Sequence, residues 1–177
     1  MNYTFLNDIG TLPKMVTEAM KYLGTKEIPG KQSNPVILNM AKELGIGDIY
    51  TNDDTAWCAL FISYICKKVG KPIPFAGYHF LRAASFSKWG KAVGRGNAML
   101  GDILVFTRQG GGHVGLYIAE TEKTFIVLGG NQGNAVSFTE IAKDRLSDVR
   151  RYYSIAPPVS AKKYYVNSSG VVSKNEA

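Results

Sequence analysis

The chain is poor in the residues that staple or anchor small proteins. It has two cysteines, Cys58 and Cys66, in 177 residues, too few for a disulfide framework. Its two histidines are His79 and His113. No cysteine/histidine set has zinc spacing, and no Asp/Asn run follows a calcium-loop pattern, so no metal and no cofactor are expected. No apolar run approaches the roughly 18 residues that a membrane span needs, so stable membrane insertion is not expected. The first ten residues lack a basic start followed by an apolar stretch, so no secretory signal peptide is expected and synthesis in the cytoplasm is. There is no long Lys/Arg block and no helix-turn-helix spacing. The formal charge of +7 comes from scattered residues such as Lys67, Lys88, Arg150 and Lys162. Such a charge suits anionic partners, but its dispersion reads as a solvated basic surface rather than a nucleic-acid groove.

What is present is an ordinary globular composition, 45% hydrophobic and 20% charged. It is long enough for one domain with a real core. Leu12, Met15, Val16, Ala19, Met20 and Leu23 recur at helical spacing, with Pro13 in the first turn and Gly24 as the stop. Asn34 reads as an N-cap, Pro35 as the first helical residue, and Ile37, Met40, Ala41 and Leu44 as the buried stripe, closed by Gly45. After a polar loop, Asp54 or Thr55 is expected to cap a third helix over 56–69, ended by Gly70. That helix has little polar face, which predicts a central, buried element. Residues 71–98 read as loop with a short helix over 80–89. Strands are then expected at 102–106, 113–119, 124–128, 135–138 and 149–155. The predicted class is α+β, with N-terminal helices packed on a small antiparallel sheet. One domain over 1–156 is followed by a polar tail, 157–177, expected to cross the surface or be disordered, with 164–166 able to dock.

The chemistry centres on Cys58. The third helix would hold both cysteines about 12 Å apart along its axis, too far for a disulfide, which needs Cα atoms within roughly 7 Å. Cys58 falls in the first turn, where unpaired N–H groups and the helix dipole favour a thiolate. The same N–H groups suit an oxyanion. A small buried hydrophobe is the plain alternative for Cys58, and the preferred reading for Cys66. A nucleophilic cysteine needs a base, and His113, at a strand start after three glycines, fits an active-site rim. His79 reads as a surface or packing histidine. If the hairpin around Glu122 is symmetric, paired residue numbers sum to 244, which sets His113 opposite Asn131 and Gly115 opposite Gly129. An amide there can hold one ring nitrogen and aim the other at the sulfur. The two facing glycines would leave room for the helix end. A register slip would bring Gly130 or Gln132 there instead, and a plain turn residue is the alternative for Asn131. Asp53 and Asp54 read first as caps, with cation or substrate contact as alternatives. Asp102 reads as a turn residue, and Trp89 and Tyr117 as core.

Four stretches carry a family likeness: Asp54-Thr55-Ala56-Trp57-Cys58-Ala59-Leu60-Phe61, Gly101-Asp102-Ile103-Leu104-Val105-Phe106, Gly112-His113-Val114-Gly115 and Val127-Leu128-Gly129-Gly130-Asn131-Gln132. In type and order they resemble the NlpC/P60 and CHAP superfamily, most of all a CHAP-like subgroup of bacterial and phage proteins. The resemblance covers about 27–152. It implies a papain-like fold and hydrolysis of peptidoglycan amides, as an endopeptidase or an N-acetylmuramoyl-L-alanine amidase. It implies Cys58 as nucleophile, His113 as base and Asn131 as the third polar residue. Trp57, Asp54 and Gln132, within or beside the same motifs, are the expected substrate contacts. Many relatives carry a Glu two residues before the Asn, where this chain has Gly129, so the orienting role rests on Asn131 with Gln132 as fallback. The family's wall-binding repeats are absent. A phage lysin or a virion-associated lysin is the expected setting, an exported toxin the next, each acting on the wall after release or export. The rivals are an amidase or acyltransferase with a non-wall substrate, and a non-catalytic wall-binding or virion structural module on the same scaffold. Nothing in the sequence bears on oligomeric state.

Overall fold

Proline and asparagine set the first two helices. Pro13, at φ −53° and ψ 134°, turns the chain into α1 (Lys14–Met20), which buries Met15, Val16 and Ala19. Gly24 follows at φ +83°. The side chain of Asn34 accepts the Val36 N–H at 2.8 Å, Pro35 takes the first turn, and α2 (Pro35–Glu43) buries Ile37, Met40 and Ala41. The start and stop of α2 follow the sequence expectation, whereas α1 begins after Pro13 and ends at Met20, short of Gly24, with Leu23 exposed. Both helices are seen here in a computed structural model that describes residues 3–174 and Glu176.

The third helix, α3 (Cys58–Lys68), is buried at every position from Cys58 to Cys66. It departs from expectation at its start. Trp57 is the N-cap residue, at φ −123°, with no side-chain cap bond; neither Asp54 nor Thr55 caps it. The buried carboxylate of Asp53 works at longer range, accepting the N–H groups of Ile28 and Asn34 at 3.1 and 2.7 Å. It ties this loop to the start of α2 rather than capping the first turn of α3. The short helix expected over 80–89 is instead two 3-10 turns, Gly77–Leu81 and Ala83–Lys88, split by extended Arg82. Phe80 and Phe86 are buried and pack edge-on against Phe75 at 5.7 and 5.1 Å. Each turn is pinned by an aromatic ring rather than by helical propensity.

The sheet comprises β1 (Lys91–Val93), β2 (Ile103–Arg108), β3 (Gly111–Glu120), β4 (Thr124–Gly129), β5 (Ser137–Ala142), β6 (Leu146–Arg151) and β7 (Val172–Ser173). Their order is β1-β6-β2-β3-β4-β5-β7, antiparallel except for the parallel β5–β7 pair. The fold is α+β, as the change of hydrophobic period predicts. The two unforeseen strands are the edge strands β1 and β7, too short to show alternation. Side chains of β2, β3 and β4 alternate between two cores. Val105, Val114, Leu116 and Leu128 join the helices in the main cluster. Leu104, Phe106, Tyr117 and Val127 form a second cluster on the opposite face. Trp89 and Tyr117 are buried, as expected of core residues. No helix of the described residues is long and apolar enough to cross a membrane.

Two polar elements do more than their sequence context suggests. Asp102 is buried, caps the Met99 N–H at 2.9 Å and takes a two-pronged bond from Arg151, both contacts at 2.7 Å. It anchors β2 to β6 rather than serving only as a turn residue. The tail is docked along the sheet. Tyr164 and Val166 bond to the backbone of Glu120, Ser168 and Ser169 bond to buried Glu140, and β7 pairs with β5.

Candidate active site

The site lies where α3 begins and where β3 has not yet met β4. The β3–β4 pairs nearest the site, Leu116 with Leu128 and Tyr117 with Val127, have the register that the symmetric hairpin predicts. Pairing stops there. Beyond Gly129 the chain leaves the strand and Asn131 turns at φ +56°, a left-handed conformation that asparagine tolerates better than most residues. Asn131 therefore never comes to stand opposite His113 in a ladder. The next residue does the work expected of it: Gln132 Oε1 lies 3.0 Å from His113 Nε2. Gln132 is itself fixed, its amide donating to the carbonyls of Val127 and Ser137. With its N–H groups so used, its oxygen is the acceptor and Nε2 carries the imidazole proton. Asn131 is left with a buried side-chain oxygen that has no partner among the described residues.

The expected role of the glycines also moves by one position. A Cβ on Gly115 would collide with Val127 at 2.3 Å, on the face away from α3. The glycine that admits the helix is Gly130, where a Cβ would lie 2.7 Å from both the Phe61 Cβ and the Trp57 ring. Trp57, expected to touch substrate, has no exposed surface. Its indole N–H donates to Glu27 at 2.6 Å, and it wedges the start of α3 against Gly130. Asp54 is exposed in the loop before the helix. His79 is exposed in its 3-10 turn and touches Ser85.

The thiol of Cys58 and the ring of His113 are not in hydrogen-bond contact, since His113 Nδ1 has no partner among the described residues and the ring lies on the sheet face of Phe106, away from α3. The Cys58 sulfur is met by the backbone N–H of Val114, the residue after His113, and by the N–H groups of Ala59 and of Cys58 itself. His113 lies on the face of β3 shared with Phe106, whose ring sits 6.5 Å away. With Nε2 engaged, Nδ1 is buried and has no hydrogen-bond partner among the described residues. Such an orphan costs about 1–3 kcal/mol, and a ring nitrogen kept bare and deprotonated is a proton acceptor. A cleft of about 390 Å³, walled by Arg82, Ser87, Thr107, Arg108 and Gly111, opens on Cys58. That volume suits a small-molecule or peptide-sized group.

Burial governs the titration of both groups. It pushes the Cys58 thiol up, against the amides of Val114 and Ala59 and the charge of Arg108, which pull it down. The net direction is opposite to that expected from the helix dipole, because the sulfur is enclosed as well as capped. Burial also drives the His113 pKa below its ordinary value; Glu176 and Gln132 oppose this, while Arg108 and Arg145 add to it. Cys66 differs in having one opposing influence, Lys71, and its thiol is pushed up to about 12.

Three charged residues near His113 carry no sequence signal: Arg108, Arg145 and Glu176. Arg145 lies in the short turn Lys143–Arg145 and Glu176 in the tail, both outside the motif stretches. No group of three His, Cys, Asp or Glu able to hold a metal occurs among the described residues. Neither the family models nor the curated proteins compared with the chain match it.

Proposed function

We propose that the protein is a cysteine hydrolase of papain-like architecture that cleaves amide bonds of peptidoglycan, with Cys58 as nucleophile, His113 as base and Gln132 orienting the imidazole. One observation carries the reading. The first-turn thiol of α3 meets the Val114 amide, and the neighbouring residue in the chain, His113, has its Nε2 fixed by Gln132 and its Nδ1 bare. His113 Nδ1 takes the thiol proton as Cys58 Sγ attacks the carbonyl carbon. The N–H groups that now meet the sulfur lie where an oxyanion would form. The protonated ring then gives its proton to the leaving amine, and the acyl-enzyme forms. Water, deprotonated by the same nitrogen, releases the acid and the thiol. The net positive charge of +7 favours approach to an anionic wall, reached after release or export. Incubation with purified sacculi should liberate new amino groups, and Cys58→Ala should not; equal release by both proteins would sink the proposal.

The enclosure of Cys58 supports a second reading, a non-catalytic module on this scaffold. Cys58 is only 4% exposed and its thiol is raised rather than lowered. A Cys58 that never reacts with a small alkylating reagent would favour that reading.

A further inference from the structure

The tail reaches the site. Glu176 is 1% exposed although it lies next to the chain's last residue. Its carboxylate is gripped by Arg145 in a two-pronged geometry, Nη1 to Oε1 and Nη2 to Oε2, each at 2.7 Å. Its backbone carbonyl accepts the N–H of Gly133, one residue beyond the Gln132 that holds His113, at 2.8 Å. Arg145 is itself pre-set: its Nε–H donates to the Thr107 carbonyl at 3.1 Å, and Nη1 also reaches the Ser173 carbonyl at 3.3 Å. Thr107 is also a wall of the Cys58 cleft. A partly buried guanidinium locked by a strand carbonyl near the imidazole is built to take a planar carboxylate. The group now filling it belongs to the segment that also carries β7, a two-residue edge strand.

We propose that Arg145 forms a carboxylate-binding subsite near His113, which the chain's own Glu176 occupies and which a carboxylate of the substrate takes when the tail leaves. The substrate class is then an acyl or amine component bearing a free carboxylate near the scissile amide. That last step rests on the hydrolase reading above; the subsite itself does not. The tail is a tethered competitor, and its departure also uncovers the buried His113 and admits water.

The test uses the full chain and a binding readout that needs no hydrolysis. Glutarate is titrated into ¹⁵N-labelled Glu176→Ala protein while the Gly133 amide and the His113 ring signals are followed. Saturable shifts of both are expected, absent or at least about tenfold weaker in affinity for the wild type. Arg145→Gln on the Glu176→Ala background should weaken the probe about tenfold or more. No saturable shift in a Glu176→Ala protein with a dispersed native spectrum would overturn the proposal, as would shifts that survive Arg145→Gln. If Glu176→Ala loses its native spectrum, Glu176→Gln takes its place, since it keeps the side-chain shape and removes the charge; the same two outcomes decide. Failure of the hydrolase reading would show instead as sacculi left uncleaved, whatever glutarate does.

Discussion

The two ends of α3 hold the same functional group in different surroundings. Cys58 and Cys66 share one helix, both are buried, and in both burial raises the thiol. At the Cys66 end only the charge of Lys71 opposes burial. At the Cys58 end three backbone N–H groups and Arg108 oppose it, and the sulfur borders a cleft. Burial is thus common to a packing cysteine and a reactive one. The donors already aimed at the sulfur, and the cleft it borders, set them apart.

The sharpest break in that comparison is removal of each sulfur. Cys58→Ala should abolish wall hydrolysis, a loss of about a thousandfold or more. Cys66→Ala should keep activity and cost about 1–2 kcal/mol of stability through the small cavity left; amine release and urea denaturation measure the two. Next is the residue that holds the base. Gln132→Ala should lower kcat by about a hundredfold and, by stranding His113 Nε2 and two carbonyls, destabilise the fold by about 1–3 kcal/mol. Asn131→Gly should leave kcat near wild type, since glycine accepts the left-handed turn. Gly130→Ala should act through position alone. The new methyl would drive against Phe61 and Trp57, shift the start of α3 and cost about 1–3 kcal/mol, with a loss of activity that the distant Cys66 does not share.

The smallest effect is on pH dependence. His113 has a folded pKa below its ordinary value of 6.5. The unfolded chain therefore takes up the proton first as pH falls. Its contribution to stability is complete above about pH 6.5 and is lost progressively as pH drops toward the depressed folded value. Urea midpoints at pH 7.5 and pH 5 should differ in that direction, and His113→Gln should narrow the gap.

Much of this site is legible in the sequence because it rests on local rules. Asn34-Pro35 writes the start of α2, and Gly45 writes its stop. The alternation of 103–106 and 114–118 writes two faces. Cys58 and His113 stand out through their places at a helix start and a strand start. The hairpin sum of 244 holds for Leu116–Leu128 and Tyr117–Val127. It changes toward the loop, where a bulge between Tyr117 and Ala119 shifts the pairs to Ala119–Ile126 and Glu120–Phe125. Gln132, the fallback partner of His113, takes the place expected of Asn131 because pairing ends before Asn131 and the chain turns there in a left-handed conformation. Arg145 and Glu176 were not legible because their bond spans 31 positions and depends on how the tail lies along β5. The thiolate expected at Cys58 from its place at the helix start is overturned by enclosure of the sulfur, a tertiary property that raises the thiol.

The most direct test of a reactive site at one end of α3 and a packing cysteine at the other is residue-resolved alkylation. Native protein is treated with iodoacetamide at pH 7, and the modification of each cysteine is followed by mass spectrometry. Cys58 should be modified at least about tenfold faster than Cys66, and His113→Gln should remove most of that advantage. Equal, slow modification of both thiols, unaffected by His113→Gln, would contradict a Cys58–His113 pair.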